Sequence, residues 1–223
     1  MSVESAVALE LRQRLGALRQ PAEPLAGILE EVLADLVVET EGLTVAGRLL
    51  PQHAGLVSVL LDELAARLGL GEWSTGLVAA ADLLATVLDQ RYFTALLADA
   101  RTLVASAAAG ELGVAVPARS VLADCDRLAA VYEQEWRPGV TPADLACSAG
   151  GEEFVLRAGR LAVAAALVAD ALAVAASDPE QVAETTARRY AWRWLRGPVP
   201  EAAHPRHRAR TLGVLARFGA AQA

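Results

Sequence analysis

The stretch LAGILEEVLADLVVETEGLTVAGRLL, residues 25–50, decides the fold. Its apolar residues Val32, Leu33, Leu36 and Val37 are separated by three or four positions, the spacing that gathers side chains on one face of an α-helix. Leu60, Leu61, Leu64 and Leu68 repeat the pattern further on, and no stretch sustains the period of two that a half-buried strand requires. The chain reads as all-α.

Composition agrees. Hydrophobic residues make up 54% of the 223 positions and aromatic residues 4%, so Ala, Leu and Val supply the apolar mass, and Ala and Leu favour helix. Isoleucine occurs at position 28 only and methionine at position 1 only. All 20 basic residues are arginine, which reflects the base composition of a GC-rich bacterial genome and carries no functional weight. The length suffices to bury a core without covalent staples.

Prolines and glycines punctuate the chain at Pro21, Pro24, Pro51, Gly69 to Gly76, Gly110 to Pro117, Pro138 to Pro142, Gly150, Gly151, Pro179 and Gly197 to Pro205. They predict about eight helices, over roughly 3–19, 25–49, 52–68, 76–108, 118–136, 152–177, 179–196 and 205–219. Ser177-Asp178-Pro179-Glu180 sets a capping side chain before a proline suited to a first helical turn, so a helix is expected to begin there. Gly110 to Pro117 is the best internal linker, dividing residues 1–110 from 111–223. Each half alone would be a marginal bundle, so one continuous helical body is expected.

The net charge of -7 repels phosphate backbones, and a nucleic-acid role would need a segregated basic patch. Arg188, Arg189, Arg193, Arg196, Arg206, Arg208, Arg210 and Arg217 do gather near the end, but acidic residues dominate Glu30 to Glu41 and Asp124 to Glu135. These runs predict charge complementarity within the chain or with a partner, and no nucleic acid. Cys125 and Cys147 are too few for a disulfide framework, and no basic segment precedes an apolar run near Met1, so a cytoplasmic protein is expected. Leu161 to Ala176 is the most apolar segment; it contains Asp170 and falls short of the ~20 apolar residues that span a bilayer, which predicts a buried core helix and no membrane.

Few residues carry recognisable chemistry. His204 and His207 flank Pro205-Arg206, but zinc needs three or four ligands and no Cys or carboxylate cluster stands beside them, so no metal site is assigned. Ser120, Ser148 and Cys147 have no histidine at a motif spacing. Tyr190 and Trp194 fall on one helix face and Trp192 on another, amid arginines; that pattern suits either a partner contact or one wide core-facing stripe.

The order of elements is more telling. Leu11-Arg12-Gln13-Arg14-Leu15-Gly16 closes the first predicted helix. The second contains Ala34-Asp35-Leu36, and the third, after Pro51, contains Leu61-Asp62-Glu63-Leu64 and runs into the loop Leu68-Gly69-Leu70-Gly71-Glu72-Trp73. This succession resembles the C-terminal helical bundle of acyl-CoA dehydrogenases and oxidases over about the first third of the chain, and does not extend to their flavin-cradling β-domain. In that family the first helix ends in Arg-x-Gln-Phe-Gly, whose arginine reaches the flavin dinucleotide, commonly that of a neighbouring subunit. With Leu15-Gly16 on the Phe-Gly pair, Arg12 takes the place of that arginine and Arg14 that of the glutamine. Arg12 is thus the expected cofactor-binding residue, its planar fork suited to a diphosphate; a solvated arginine favoured by the helix C-terminus is the alternative.

The family's catalytic glutamate would fall on Ser74, Thr75 or Gly76, and Glu72 sits too early, so no catalytic base is assigned. The resemblance implies a bundle of the acyl-CoA dehydrogenase C-terminal type with additional C-terminal helices. It also implies a role as one subunit of a heteromeric acyl-CoA dehydrogenase-like flavoenzyme, inactive alone. A partner dehydrogenase-like polypeptide, or further copies in a homo-oligomer, would complete an FAD site that dehydrogenates an acyl thioester, the flavin carrying the redox chemistry. The alternative from a different class is a non-catalytic all-α scaffold, or ligand- or partner-binding protein, derived from that fold.

Overall fold

The computed structural model describes residues 23–68, 83, 86–87, 89–110, 113–135 and 149–196. Among them are six α-helices and no strand: α1 (Glu23–Leu49), α2 (Ala54–Arg67), α3 (Gln90–Ala108), α4 (Ala115–Glu135), α5 (Ala149–Val174) and α6 (Val182–Ala191). A 3₁₀ turn, Pro51–His53, joins α1 to α2, and a π-helical turn, Trp192–Arg196, prolongs α6. The all-α expectation holds for the described residues.

Helix α5 is the hub. Every residue from Leu161 to Val168 is buried, and α1, α2, α3, α4 and α6 all pack on it. A helix apolar on all sides can be accommodated only in this way; of the segment Leu161 to Ala176 expected as a buried core helix, the part up to Ala171 takes that place, while Leu172 is 40% exposed and the helix ends at Val174. Helices α3 and α4 form an antiparallel pair; the Arg119 guanidinium donates to the carbonyl oxygens of Ala108 and Gly110 and so closes the chain reversal at Gly113. One apolar core runs from Ala34 to Leu195, with Phe93, Tyr132 and Phe154 clustered where α3, α4 and α5 meet.

Small residues set how closely the helices cross. A Cβ on Gly42 of α1 would lie 2.6 Å from Val163 Cγ1 of α5, and one on Gly159 of α5 would lie 3.0 Å from Leu60 Cδ1 of α2. Glycine lets these helices approach so closely, and an added methyl would push the facing Val163 or Leu60 side chain aside. Among the described residues no helix is long and apolar enough to cross a membrane.

Two expected boundaries are corrected. The helix expected over 76–108 is interrupted at Asp89, whose carboxylate accepts from the backbone N–H groups of Arg91 and Tyr92, both at 3.0 Å, and caps a new helix there. The helix expected from Pro179 starts instead at Val182. Asp178 accepts from Ala183 N at 2.7 Å and Gln181 turns left-handed at φ 56°, so Pro179 sits in the turn before the helix. The helices expected at 3–19 and 205–219, and the loops at Gly69–Gly76 and Pro138–Pro142, lie outside the described residues.

Candidate functional site

Glu31, Asp35 and Glu39 recur at four-residue intervals and share one face of α1. Opposite them, Arg189 of α6 and Arg193 of the π turn are also four apart. Arg189 donates through Nη2 to Glu31 Oε2 at 2.5 Å and through Nε to Asp35 Oδ1 at 2.6 Å, while Arg193 Nη1 stands 3.4 Å from Asp35 Oδ2. The acidic run and the arginine-rich helix meet within one chain, as their charges predict.

Deeper in, Glu39 is 5% exposed and accepts from Arg67 Nη2 of α2. Arg67 Nε lies 4.0 Å from Glu63 Oε1 one turn back, and that same oxygen accepts from Arg160 Nη2 of α5 at 2.8 Å. The result is an alternating chain, Glu39, Arg67, Glu63, Arg160, that ties three helices together. Over it lies the indole of Trp194, with the Arg160 guanidinium 4.0 Å, Arg67 5.4 Å and Arg193 5.6 Å from its ring. Such stacking is favourable because the aromatic face carries negative potential.

Glu31, Asp35, Glu39, Arg67, Arg189 and Arg193 line a cleft of about 390 Å³ whose apolar wall is Val32, Leu36, Val38, Tyr190 and Trp194. Burial pushes the Glu39 carboxyl above the usual glutamate range, against the pull of its hydrogen bond from Arg67. Burial also holds the Tyr190 phenol well above its ordinary value, with Glu39 adding to the effect, so Tyr190 keeps its proton. The cleft therefore offers guanidinium donors, one carboxyl that burial inclines towards its neutral form, and an aromatic wall beside them.

Trp194 is held in place from below. Asp124 of α4 is fully buried and takes a two-pronged contact from Arg157 of α5, at 2.9 Å from Nε and 2.5 Å from Nη2. Arg157 also donates to the carbonyl oxygens of Trp194 and Leu195, and Arg127 adds bonds to Leu195 and to Asp124. A helix end leaves carbonyls without intrahelical donors; here two arginines, anchored by one carboxylate, supply them and fix the π turn that presents Trp194.

Other titratable groups serve packing. Buried His53 lies 2.9 Å through Nε2 from Asp99 Oδ2 and 3.0 Å through Nδ1 from the Tyr92 hydroxyl, and Gln52 also donates to Asp99. The imidazole thus bridges the Asp99 carboxylate and the Tyr92 hydroxyl. Gln52 and then His53 hold Asp99 below the usual carboxylate range, and burial raises the Tyr92 phenol to about 12. Both ring nitrogens are engaged and the ring is 2% exposed, so the cluster ties the 3₁₀ turn to α3 and does not face a substrate. Burial pushes the Cys125 thiol up to about 11, away from the reactive thiolate, and Ser120 donates to Val116 O. Among the described residues no group of three His, Cys, Asp or Glu is placed to hold a metal ion.

Arg12, the expected cofactor contact, lies outside the described residues, as do Glu72, Ser74 to Gly76, Cys147, Ser148, His204 and His207. Asp35 of Ala34-Asp35-Leu36 pairs with Arg189, and Glu63 of Leu61-Asp62-Glu63-Leu64 pairs with Arg160. Tyr190 and Trp194 share a face as expected, their rings 6.5 Å apart, while Trp192 is half-buried. Sequence reasoning did not single out Glu39, Arg67 or Arg160; the matched four-residue spacing of acids on α1 and arginines on α6 was the available signal. No protein-family model, curated protein or solved structure matches this chain.

Proposed function

We propose that this chain is a non-catalytic, all-α ligand-binding protein that works through the cleft between α1, α2 and the π turn. The observation that carries this reading is the pairing of the cleft's acids. Glu39 is countered by Arg67, while Arg189 serves both Glu31 and Asp35. A general base needs a carboxylate free to take a proton at the reacting atom, and these are engaged. Preorganised ionic groups beside an apolar wall instead suit recognition, because they are already fixed before a ligand arrives.

A second reading is favoured by a separate observation, the order of Arg12, Ala34-Asp35-Leu36 and Leu61-Asp62-Glu63-Leu64 along the chain. On it the helices are a bundle of the acyl-CoA dehydrogenase C-terminal type and the chain is one subunit of a flavoenzyme acting on an acyl thioester. Arg12 would then contact the FAD inside a site completed by a partner polypeptide or a second copy.

Purification of the tagged protein from its own source, followed by native mass spectrometry and a visible absorption spectrum, separates the two. A colourless protein that releases a small molecule on denaturation is the expected result. A stoichiometric partner with bound flavin would replace the first reading by the second, and a colourless protein carrying neither would contradict both.

A further inference from the structure

The charges around Trp194 determine which ligand the cleft accepts. Three guanidiniums surround its ring within 5.6 Å of the centroid, so the surface that would attract an amine is already covered by cations. Arg160 is sequestered, its side chain 10% exposed against Glu63. Arg67 and Arg193 are different. Their side chains are 36% and 53% exposed, and both line the cleft. Arg193 approaches Asp35 only to 3.4 Å, longer than a charge-assisted hydrogen bond of about 2.7–2.9 Å, and a guanidinium carries five N–H donors. Beside these two guanidiniums the wall is apolar, with Leu36 half-buried and Val32 48% exposed.

We propose that the cleft takes a small organic acid, its carboxylate held by Arg67 and Arg193 and its apolar body laid along Val32, Leu36 and Trp194. The proposal rests on the cleft being the binding site. At the rim Arg189 bridges Glu31 and Asp35 and offsets one of their two charges, and Arg193 offsets the other, so the rim is neutral before a ligand arrives. Glu39 competes with the ligand for Arg67, and it is the carboxyl that burial inclines towards the neutral form. The groups that face it are Arg67 and Glu63 of α2, Arg160 of α5 and Tyr190 of α6. An arriving carboxylate takes over the Arg67 guanidinium and Glu39 takes up a proton, so the charge at the base of the cleft is conserved.

Isothermal titration of the full chain with hexanoate, hexylamine and hexan-1-ol, repeated in two buffers of different ionisation enthalpy, tests this. The expected result is that hexanoate binds at least tenfold more tightly than the other two and with net proton uptake. Arg193→Ala, an exposed substitution that leaves the core intact, should weaken hexanoate about tenfold and leave hexan-1-ol unchanged; Arg67→Gln should do the same and report on the second guanidinium. Equal or tighter binding of the amine or the alcohol, lost in Trp194→Ala, would overturn the ligand class while leaving the cleft as a binding site. No binding of any probe would overturn the cleft reading itself.

Discussion

Two buried carboxylates among the described residues, Asp124 and Glu39, are matched by arginine, and their surroundings make them different objects. Asp124, at the junction of α4, α5 and the π turn, is gripped by Arg157 and Arg127, which also donate to the carbonyls of Leu195. Its side chain is 1% exposed. Glu39 is also buried, but its partner Arg67 is 36% exposed and lies in a cleft wall. The first pair closes a joint. In both the arginine reaches solvent, but Arg157 is turned onto the carbonyls of Trp194 and Leu195, whereas Arg67 stands in the cleft wall where a ligand can share it. An ion pair indicates function when the charge it presents can be shared with something else, and structure when it cannot.

The comparison is broken most severely at Asp124. Asp124→Ala leaves the half-buried Arg157 guanidinium without its carboxylate and unties the π turn, a loss of about 3 kcal/mol, the lower end of the range for breaking a buried pair. Urea denaturation should show that loss. A midpoint close to that of the unsubstituted protein would mean that the joint does not hold the turn.

Gly42→Ala comes next. The added methyl lies 2.6 Å from Val163 Cγ1 and 3.5 Å from Tyr190 Cε2, so it overpacks the α1–α5 crossing beneath the cleft. Overpacking typically costs about 1–3 kcal/mol and the gain in helix propensity offsets about 1, leaving a net loss of up to about 2 kcal/mol by denaturant unfolding.

Glu39→Gln sharpens the contrast through pH. The folded-state pKa of Glu39 lies above its ordinary value, so its contribution to stability is fully present below that ordinary value and is lost as pH rises through the folded one. Glutamine does not titrate. Unfolding free energies of both proteins, measured from about pH 4 to about pH 8, should therefore show the unsubstituted chain losing ground to the variant as pH rises. A gap independent of pH would contradict the desolvation of Glu39.

The smallest effect on stability is expected at Arg193, which is 53% exposed with one long contact to Asp35. Arg193→Ala should shift the unfolding free energy by less than about 0.5 kcal/mol while still reducing ligand affinity. A large loss of stability would place Arg193 with the closed joint.

Much of the fold was legible in the sequence. Leu60, Leu61 and Leu64 are buried at the spacing that predicted them, and the alanine-rich run from Leu161 fills the centre of the molecule. The misplaced boundaries have a common cause: Asp89 and Asp178 act through side chain to backbone bonds whose geometry depends on a turn that composition does not reveal. The outer rungs of the site were readable as opposite charges on α1 and α6. Glu39, Arg67, Glu63 and Arg160 were not, because they lie on three helices that only tertiary packing brings together, with Arg160 reaching Glu63 beside the α2–α5 crossing at Gly159.

The most direct test of the central claim is amide and indole chemical-shift mapping of the labelled chain during titration with hexanoate. The account predicts perturbations concentrated on Val32, Leu36, Arg67, Arg193 and the Trp194 indole. Shifts confined to other exposed apolar positions such as Leu49 and Leu172, or no shifts at all, would contradict it.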